Sequence, residues 1–200
     1  MLKIYHVPGT RSVRPIWLAY ELGLDVEIVP VDFSPAYRNS PEWRAISPAG
    51  KVPVLSDGDV TMFESGAMVE FILDRYGDGR LRPESGTAES ALYLQWSWFA
   101  EATLSRPLGL HRIMTSAKEG GEALSAEGVQ KTQSALKAVE QGLADRDFLL
   151  TSGFTAADIM TGYSLELLAN LGVLDDEFPR ARTYLERLKA REACQRAMSA

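Results

Sequence analysis

Three short segments of the first 65 residues carry groups suited to holding a small peptide. Pro53 lies inside the apolar, strand-like run Ser47–Leu55. Proline cannot donate to a sheet ladder, so it belongs at an edge or a bend, where neighbouring main-chain groups can face a ligand. A cis bond before Pro53 would turn the Val52 main chain outward. An ordinary edge-strand proline gives the same pattern and, at this position alone, is the simpler interpretation.

Glu64 and Ser65 stand where a helix is predicted to begin directly after a strand. The free N–H groups and the positive dipole end of such a helix attract a carboxylate, and Ser65, a natural N-cap, adds a hydroxyl. Glu64 can hold an ammonium group, so the pair fits the head of an amino acid. A capping serine beside a solvated glutamate is the alternative, and it is preferred for an isolated serine.

The turn after the first predicted strand offers hydroxyl groups at Tyr5, Thr10 and Ser12. It joins the carboxyl end of a strand to the start of a helix, where open α/β sheets place their sites. A hydroxyl donor and a helix dipole both stabilise a thiolate and lower its pKa. Each of these three residues, taken singly, is expected to cap or to pack.

Apolar periodicity places the three segments in one small domain of the order βαβ followed by ββα. The two strands of a βαβ unit should be parallel, and the next two strands form a hairpin. The predicted elements are strands at Leu2–Val7 and Asp25–Phe33 with a helix at Arg11–Leu22 between them, loop and short helix at Ser34–Ala49, strands at Lys51–Leu55 and Val60–Phe63, and a helix from Glu64 to Tyr76.

The second half of the chain is predicted to be helical. A linker rich in glycine, proline, serine and charge occupies Gly77–Thr87. Helical periodicity follows at Ala88–Ala102, Ala123–Ala144, Thr155–Asn170 and Pro179–Met198. We therefore expect an α/β domain at residues 1–78, a linker at 79–87 and an all-helical domain at 88–200.

Composition limits the classes of partner. The net charge of −6 argues against nucleic acid, although a few local cations suffice for a small anionic ligand. His6, His111 and the single cysteine, Cys194, form no motif for a metal ion and permit no internal disulfide. No apolar run has the roughly 18 residues of a membrane span. The N-terminus shows no secretory leader, so a cytoplasmic location is expected.

Taken together and in order, these motifs resemble the cytosolic glutathione S-transferases over almost the full chain. The strongest match is Ser47–Leu55 followed by Phe63, Glu64 and Ser65, which is similar to the family's Gly-Lys-Val-Pro and Glu-Ser signature. Thr155–Asp158 looks like the capping box that opens a core helix of the second domain. Arg11–Arg14, before a helix rich in Trp and Leu, is similar to many bacterial members.

The resemblance implies a thioredoxin-like first domain, a homodimer and glutathione as co-substrate without a metal. Val52 would bind the cysteinyl main chain of glutathione in antiparallel fashion, just before a cis Pro53. Glu64 and Ser65 would hold the γ-glutamyl head. Lys51 would lie near the glycyl carboxylate, or else be a solvated surface charge.

Family members activate the glutathione thiol with a Tyr, Ser or Cys near the first turn. Counting back from Arg14, as in serine-type members, leads to Thr10, whose side chain is bulkier and stiffer than that of serine. We rank Thr10 first, Ser12 second and Tyr5 third. The hydroxyl would donate to the thiolate, and glutathione itself would be the nucleophile.

By the same resemblance, the electrophile should bind between the two domains. Its predicted helical wall includes aromatic and charged side chains, some of which must be core: Tyr93, Trp96, Trp98, Phe99, His111 and Arg112. Of these, Trp96, Phe99, His111 and Arg112 are the candidate pocket residues. Thr155 and Asp158 are expected to be structural.

The predicted activity is conjugation of glutathione to small hydrophobic electrophiles, as in detoxification. A glutathione-dependent peroxidase or disulfide-bond reductase is one alternative, and a non-catalytic binding or interaction protein of the same fold is another. The isomerase members usually carry a Ser-Ser-Cys turn, which Thr10, Arg11 and Ser12 do not match. Cys194 lies too far along the chain to be an active-site cysteine of the first domain.

Overall fold

A computed structural model describes residues 1–106 and 122–200. The chain divides into two compact units. The first, here the sheet unit, comprises Met1–Leu81 together with Lys189–Ala200. The second, here the helical unit, comprises Arg82–Leu188. No helix within the described ranges is long and apolar enough to cross a membrane.

The sheet unit contains a four-stranded mixed sheet in the order β2-β1-β3-β4. Its strands are β1 at Leu2–His6, β2 at Val26–Pro30, β3 at Val54–Asp57 and β4 at Val60–Phe63. β1 runs parallel to β2 and antiparallel to β3, and β3 pairs antiparallel with β4. The predicted βαβ-ββα order is confirmed. The residues of β1 alternate between buried and half-buried, which fixes the face that packs on the helices.

Three helices connect the strands of the sheet unit, a fourth follows β4, and the local sequence explains why several of them begin where they do. They are α1 at Val13–Glu21, α2 at Pro35–Arg38, α3 at Pro41–Ile46 and α4 at Ser65–Tyr76. Pro15 lies in the first turn of α1, where its missing N–H costs little. Ser34 and Ser40 cap α2 and α3, each followed directly by proline at the first helical position.

The helical unit is described from Arg82 to Arg106 and from Glu122 to Leu188. Its helices are α5 at Ala88–Phe99, continued by a π-helical turn at Ala100–Leu104, then α6 at Glu122–Gly142, α7 at Ala156–Asn170 and α8 at Pro179–Lys189. α7 is buried along most of its length and packs against α5. A last helix, α9 at Glu192–Met198, belongs to the sheet unit and packs against α1.

Most predicted elements have slightly different bounds in the structure, and for two of them the structure shows the reason. β3 begins after Pro53 and continues to Asp57, whose buried carboxylate accepts from Tyr76 and Arg75. These contacts draw Asp57 into the ladder and shorten the predicted turn. The helix predicted over 179–198 is broken, because Arg191 adopts an extended conformation and donates to the Glu21 carboxylate at 2.7 and 2.8 Å.

Candidate functional site

The register of the sheet brings the three predicted segments to one end of it. Tyr5, Val54 and Phe63 lie side by side on β1, β3 and β4. The turn at residues 7–12 follows β1, and Glu64 follows β4. Val52 and Pro53 come just before β3, which runs in the opposite direction. Because neighbouring strands are about 5 Å apart, all three segments leave the sheet within reach of one small molecule.

The segment before β3 exposes main-chain groups. The Val52–Pro53 peptide bond is cis, as the resemblance to the family implies. Ser47 Oγ donates to the Lys51 carbonyl at 2.7 Å and accepts from the Lys51 N–H at 3.0 Å, which fixes the chain just before Val52. No hydrogen bond joins the Val52 main chain to any residue that the structure describes. The Lys51 side chain is exposed.

The loop leading to Lys51 is held from one side by two arginines of α2 and α3. Arg44 Nη1 donates to the Pro48 carbonyl at 2.6 Å, and Arg38 Nε donates to the Gly50 carbonyl at 3.2 Å. Gly50 has a φ of 63°, and a Cβ there would lie 2.7 Å from Arg44 Cζ. Glycine is therefore required at this close approach. The two helices thus fix the position of the main chain that leads to Val52.

Glu64 and Ser65 occupy the start of α4. Ser65 is the first helical residue and Glu64 is the N-cap, so the prediction of Ser65 as N-cap was wrong by one position. Glu64 has a φ of 78°, a conformation unusual for any residue except glycine, and its side chain is exposed and makes no cap bond. Such outliers occur mainly where a site requires them.

The first turn of α4 has main-chain donors available for an anion. Its first helical bond runs from the Met68 N–H to the Glu64 carbonyl at 3.0 Å. The N–H groups of Ser65, Gly66 and Ala67 therefore have no acceptor within the helix. Together with the dipole of α4, they suit a carboxylate, while the exposed Glu64 side chain suits an ammonium group.

Arg14 ties α1 to the start of α4. Its Nη1 donates to Ser65 Oγ at 3.2 Å, and both side chains are buried. The charge on Arg14 therefore lies beside the helix start and favours an anion there. Sequence reasoning used Arg14 only as a marker for counting to Thr10. A basic residue in the first turn of a helix after a strand was the available clue to this second role.

The turn after β1 brings two of the three candidate hydroxyls together. Thr10 Oγ1 lies 2.7 Å from Ser12 Oγ and donates to the Val7 carbonyl at 2.7 Å. Ser12 lies at the N-cap position of α1, but its side chain does not bond that helix. Instead, Ser12 Oγ lies 2.7 Å from His6 Nδ1. Ser12 is fully buried, whereas Thr10 is half-buried.

His6 is the part of this cluster that sequence reasoning did not select. Only 3% of the residue is exposed, and His6 Nε2 lies 3.0 Å from the main-chain carbonyl oxygen of Ala200. Burial lowers the pKa of His6, and the hydrogen bond to the carbonyl opposes that shift in part. The ring is therefore neutral at neutral pH.

Tyr5 lies apart from the hydroxyl cluster. Successive side chains of a strand point to opposite faces, so Tyr5 and His6 face opposite sides of the sheet. The ring of Tyr5 packs edge-on against Trp43 of α3, with the ring centroids 5.9 Å apart. The structure thus groups Thr10 with Ser12 and places Tyr5 in a packing role.

Two of the four candidate pocket residues are described, and both belong to α5. Trp96 is buried in the helical unit, where its ring lies edge-on to Phe99 with centroids 5.4 Å apart. A Cβ on Gly142 would lie 2.5 Å from the Trp96 ring, so Trp96 packs closely on α6. Phe99 is half-buried and lines a pocket of about 390 Å³. His111 and Arg112 lie outside the described residues.

The capping box predicted at Thr155 and Asp158 is present at the start of α7. The fully buried Asp158 carboxylate accepts from the Leu149 N–H at 3.0 Å, the Thr155 N–H at 2.7 Å and Tyr184 Oη at 2.7 Å. Burial raises the pKa of Asp158, and these hydrogen bonds oppose the shift. Every contact of this cluster is internal to the helical unit.

Among the residues that the structure describes, no set of side chains is evident that could bind a metal ion. In the described ranges there is no group of three or more His, Cys, Asp or Glu side chains that could hold a metal ion. Cys194 is buried in α9. The groups at the end of the sheet are instead hydroxyls, main-chain donors and one exposed carboxylate.

Comparisons with known protein families agree with this geometry. Residues 1–74 match the family described as "Glutathione S-transferase, N-terminal domain", and residues 122–187 match "Glutathione S-transferase, C-terminal domain". "Glutathione S-transferase 3" of Schizosaccharomyces pombe is 30% identical over 171 residues, which cover 79% of this chain and 70% of the relative. "Glutathione S-transferase 3" of Zea mays is 29% identical and covers 78% and 73%.

Solved structures show the same fold. A glutathione transferase from Methylococcus capsulatus has a TM-score of 0.88 at 27% identity, covering 100% of this chain and 98% of that one. The glutathione transferase URE2P6 from Phanerochaete chrysosporium, solved in complex with oxidized glutathione, has a TM-score of 0.90 at 24% identity, covering 99% and 94%. The second likeness concerns the fold alone.

Proposed function

The chain belongs to the glutathione S-transferase family, and from this premise we propose that it conjugates the thiolate of glutathione to small hydrophobic electrophiles. The observation that carries the proposal is the convergence of three segments at one end of the sheet. The strands β1, β3 and β4 lie side by side. At the same end of them, Thr10 follows β1, Val52 precedes β3 and α4 follows β4. Together they match a tripeptide with a charged head and a central thiol.

In the proposed complex, each part of glutathione meets one segment. The cysteinyl main chain pairs in antiparallel fashion with Val52, whose N–H and carbonyl have no partner among the described residues. The γ-glutamyl carboxylate meets the N–H groups at Ser65, and its ammonium meets the exposed Glu64 carboxylate. Lys51 lies close enough along the chain to attract the glycyl carboxylate.

Thr10 is the proposed catalytic residue. Its hydroxyl donates to the sulfur once the thiol has ionised, which lowers the thiol pKa and raises the fraction of thiolate. Thr10 is favoured over Ser12 because Ser12 is fully buried and lies against His6. It is favoured over Tyr5 because the ring of Tyr5 packs on Trp43.

The electrophile pocket is proposed to include the half-buried ring of Phe99. The pocket of about 390 Å³ that Phe99 lines is otherwise formed by Lys131 and by small side chains, which are Ala102, Thr103, Ser134, Ala135 and Ala138. Such a pocket has the size and apolar character that a small ligand needs. Phe99→Ala should raise the KM for the electrophile and leave the Kd for glutathione unchanged.

A homodimer in the cytoplasm is the proposed state of the enzyme. Leu94 and Trp98 lie one helical turn apart on α5 and are 47% and 68% exposed, which gives one face of that helix an apolar patch. Sedimentation of the purified chain should give twice its mass of 22.0 kDa, and a monomer would contradict the assembly.

Calorimetric titration tests binding, and a conjugation assay tests turnover. We expect glutathione to bind and S-hexylglutathione to bind more tightly, because binding removes the apolar surface of its alkyl group from water. Chlorodinitrobenzene should then be conjugated at a rate that depends on the enzyme. Failure of both ligands to bind at millimolar concentration would overturn the proposed function and leave a non-catalytic interaction protein of the same fold.

The alternative activities find less support. A cysteine-dependent reductase needs an accessible thiol at the turn after β1, and the one cysteine of the chain is buried in α9. Thr10, with Ser12 behind it, instead provides hydroxyl chemistry, which suits stabilisation of a thiolate that comes from the co-substrate.

A further inference from the structure

A continuous line of hydrogen bonds leads inward from Thr10. Thr10 Oγ1 lies 2.7 Å from Ser12 Oγ, and Ser12 Oγ lies 2.7 Å from His6 Nδ1. On the far side of the ring, His6 Nε2 lies 3.0 Å from the Ala200 carbonyl oxygen. The line begins at a half-buried hydroxyl and ends at a buried titratable group.

The Ala200 carbonyl determines where the protons lie. A carbonyl oxygen only accepts, so His6 Nε2 must carry a hydrogen. In the neutral ring Nδ1 is then an acceptor, and the Ser12 hydroxyl donates to it at 2.7 Å in preference to the Val7 carbonyl, which lies 3.3 Å away. The single proton of Ser12 is thereby used, and Ser12 Oγ faces Thr10 as an acceptor.

The proton of Thr10 consequently points inward. Among the described residues, its acceptors are the Val7 carbonyl and Ser12 Oγ, each 2.7 Å away, and proton transfer requires the orientation toward Ser12 Oγ. The outward side of Thr10 Oγ1 is therefore a lone pair. A hydroxyl in this state accepts a hydrogen bond from a thiol and does not donate to a thiolate, so the thiol proton must move before Thr10 can act as donor.

We propose that His6 receives the thiol proton of glutathione through Thr10 and Ser12. The S–H bond breaks and its proton passes to Thr10 Oγ1, the Thr10 proton passes to Ser12 Oγ, and the Ser12 proton passes to His6 Nδ1. Thiolate and imidazolium result, with no atom gained or lost. Each of the three hydrogen bonds between sulfur, Thr10, Ser12 and His6 now has its donor and acceptor exchanged, so Thr10 donates to the sulfur.

His6 and Ser12 are thus positioning residues that act on the ligand through Thr10. The inference rests on the proposed function, since glutathione supplies the thiol. The lowered pKa of His6 is consistent with it, because the ring must be neutral to accept a proton near neutral pH. The thiolate formed nearby then favours the imidazolium.

The charged groups on the elements around His6 have other described contacts. On β1, β2, β3, α1 and α9 these contacts are Lys3 with Glu27, Asp57 with Arg75, Arg14 with Ser65, Glu21 with Arg191, and Arg196 over the ring of Tyr20. Arg11 lies in the same turn as Thr10, and Glu192 opens α9. Burial is the main cause of the lowered pKa of His6, and the hydrogen bond to Ala200 opposes it in part.

The decisive variant is His6→Asn, measured by the pH dependence of kcat/KM for conjugation. The Asn amide oxygen takes the place of Nδ1 and accepts from Ser12, but it does not take up a proton. At pH ~6.5 we expect kcat/KM to fall about 10- to 100-fold. Above the pKa of about 8.5 of an ordinary thiol, the variant should approach wild-type activity, because the thiol ionises unaided.

Two further measurements distinguish the proposed proton transfer through Thr10 and Ser12 to His6, here called the relay, from a merely structural role of His6. The Kd for S-methylglutathione, which has no thiol proton, should stay within about twofold of wild type in His6→Asn. Ser12→Ala should give the same pH profile, and the double variant His6→Asn with Ser12→Ala should be no slower than the slower single variant, because residues of one relay act as a unit.

The outcomes distinguish the relay from the function on which it rests. An active wild-type enzyme whose His6→Asn variant keeps the wild-type pH profile overturns the relay alone. The relay is also overturned if His6→Asn lowers kcat/KM by the same factor at every pH, or if the losses of kcat/KM in the double variant are additive. If the wild-type protein neither binds S-hexylglutathione nor conjugates, the proposed function fails first.

Discussion

Two buried hydrogen-bond networks stand at helix starts in this molecule, and they end differently. At the start of α7, the donors of Leu149, Thr155 and Tyr184 all converge on the Asp158 carboxylate inside the helical unit. At the start of α1, the line from His6 through Ser12 ends at the half-buried Thr10. A network closed on itself stabilises the fold, whereas one that reaches the surface can act on a ligand.

The same physical cause gives opposite pKa directions in the two networks. Burial raises the pKa of Asp158 and lowers the pKa of His6, because in each case it disfavours the charged form. In Asp158 the surrounding donors oppose that effect, as a structural carboxylate requires. In His6 the neutral ring is left ready to accept a proton. The predictions below test this division of roles, from the largest expected effect to the smallest.

Asp158→Ala should have the largest effect, and on stability. It removes the common acceptor of several buried donors and should lower the free energy of unfolding by about 3–5 kcal/mol. Urea unfolding followed by circular dichroism measures it, with the exposed Asp59→Ala in the β3–β4 turn as control. A loss below about 1 kcal/mol for Asp158→Ala would show that the closed network does not hold the helical unit together.

Thr10→Ala should affect turnover and leave the fold intact. We expect kcat/KM for conjugation to fall about 10- to 100-fold, because the donor to the thiolate is lost. The Kd for glutathione should stay within about twofold, since the peptide is held by Val52 and the start of α4. Thr10→Ser keeps the hydroxyl and should keep most of the activity. Wild-type turnover in Thr10→Ala would remove Thr10 from the catalytic role.

Glu64→Gln should weaken binding by a smaller factor. Loss of the charge that faces the ligand's ammonium group should raise the Kd for S-hexylglutathione about tenfold. Asp59→Asn removes one exposed carboxylate elsewhere in the sheet unit and should leave the Kd unchanged. Equal Kd values for Glu64→Gln and wild type in calorimetry would assign the γ-glutamyl head to other groups.

The pH dependence of stability should show the smallest effect. Because folding lowers the pKa of His6, the unfolded chain binds more protons, so acidification below the ordinary histidine pKa of about 6.5 destabilises the fold. One proton gives a slope of at most about 1.4 kcal/mol per pH unit. The slope should be flatter in His6→Asn. If the free energy of unfolding in urea has the same slope against pH between pH 7 and 5 in wild type and His6→Asn, the assigned contribution of His6 is contradicted.

The sequence predicted those features whose determinants are local. The βαβ-ββα order follows from apolar periodicity, and the capping box at Thr155 and Asp158 follows from a spacing of three residues. The placement of Glu64 after a strand was predicted from a short motif. Each of these features needs only neighbours along the chain. The cis bond at Pro53, in contrast, was expected only from the resemblance to the family, because the local sequence fits an ordinary edge-strand proline equally well.

Features that depend on distant partners were not predictable in this way. His6 is bonded to a residue 194 positions away, and Arg14 to one 51 positions away, so no local pattern indicates either contact. The break before α9 depends on Arg191 and Glu21, which are 170 positions apart. The N-cap of α4 was misplaced because Glu64 adopts a positive φ that local preferences disfavour.

The most direct test is the ultraviolet absorbance of the thiolate of enzyme-bound glutathione, titrated with pH in wild type and Thr10→Ala. The account predicts that the bound thiol of the wild-type enzyme ionises well below the pKa of about 8.5 of an ordinary thiol. In Thr10→Ala the pKa should return toward that value, with glutathione still bound. A bound thiol that titrates like free glutathione in the wild type, or identically in both proteins, would contradict the claim that the turn after β1 activates the sulfur.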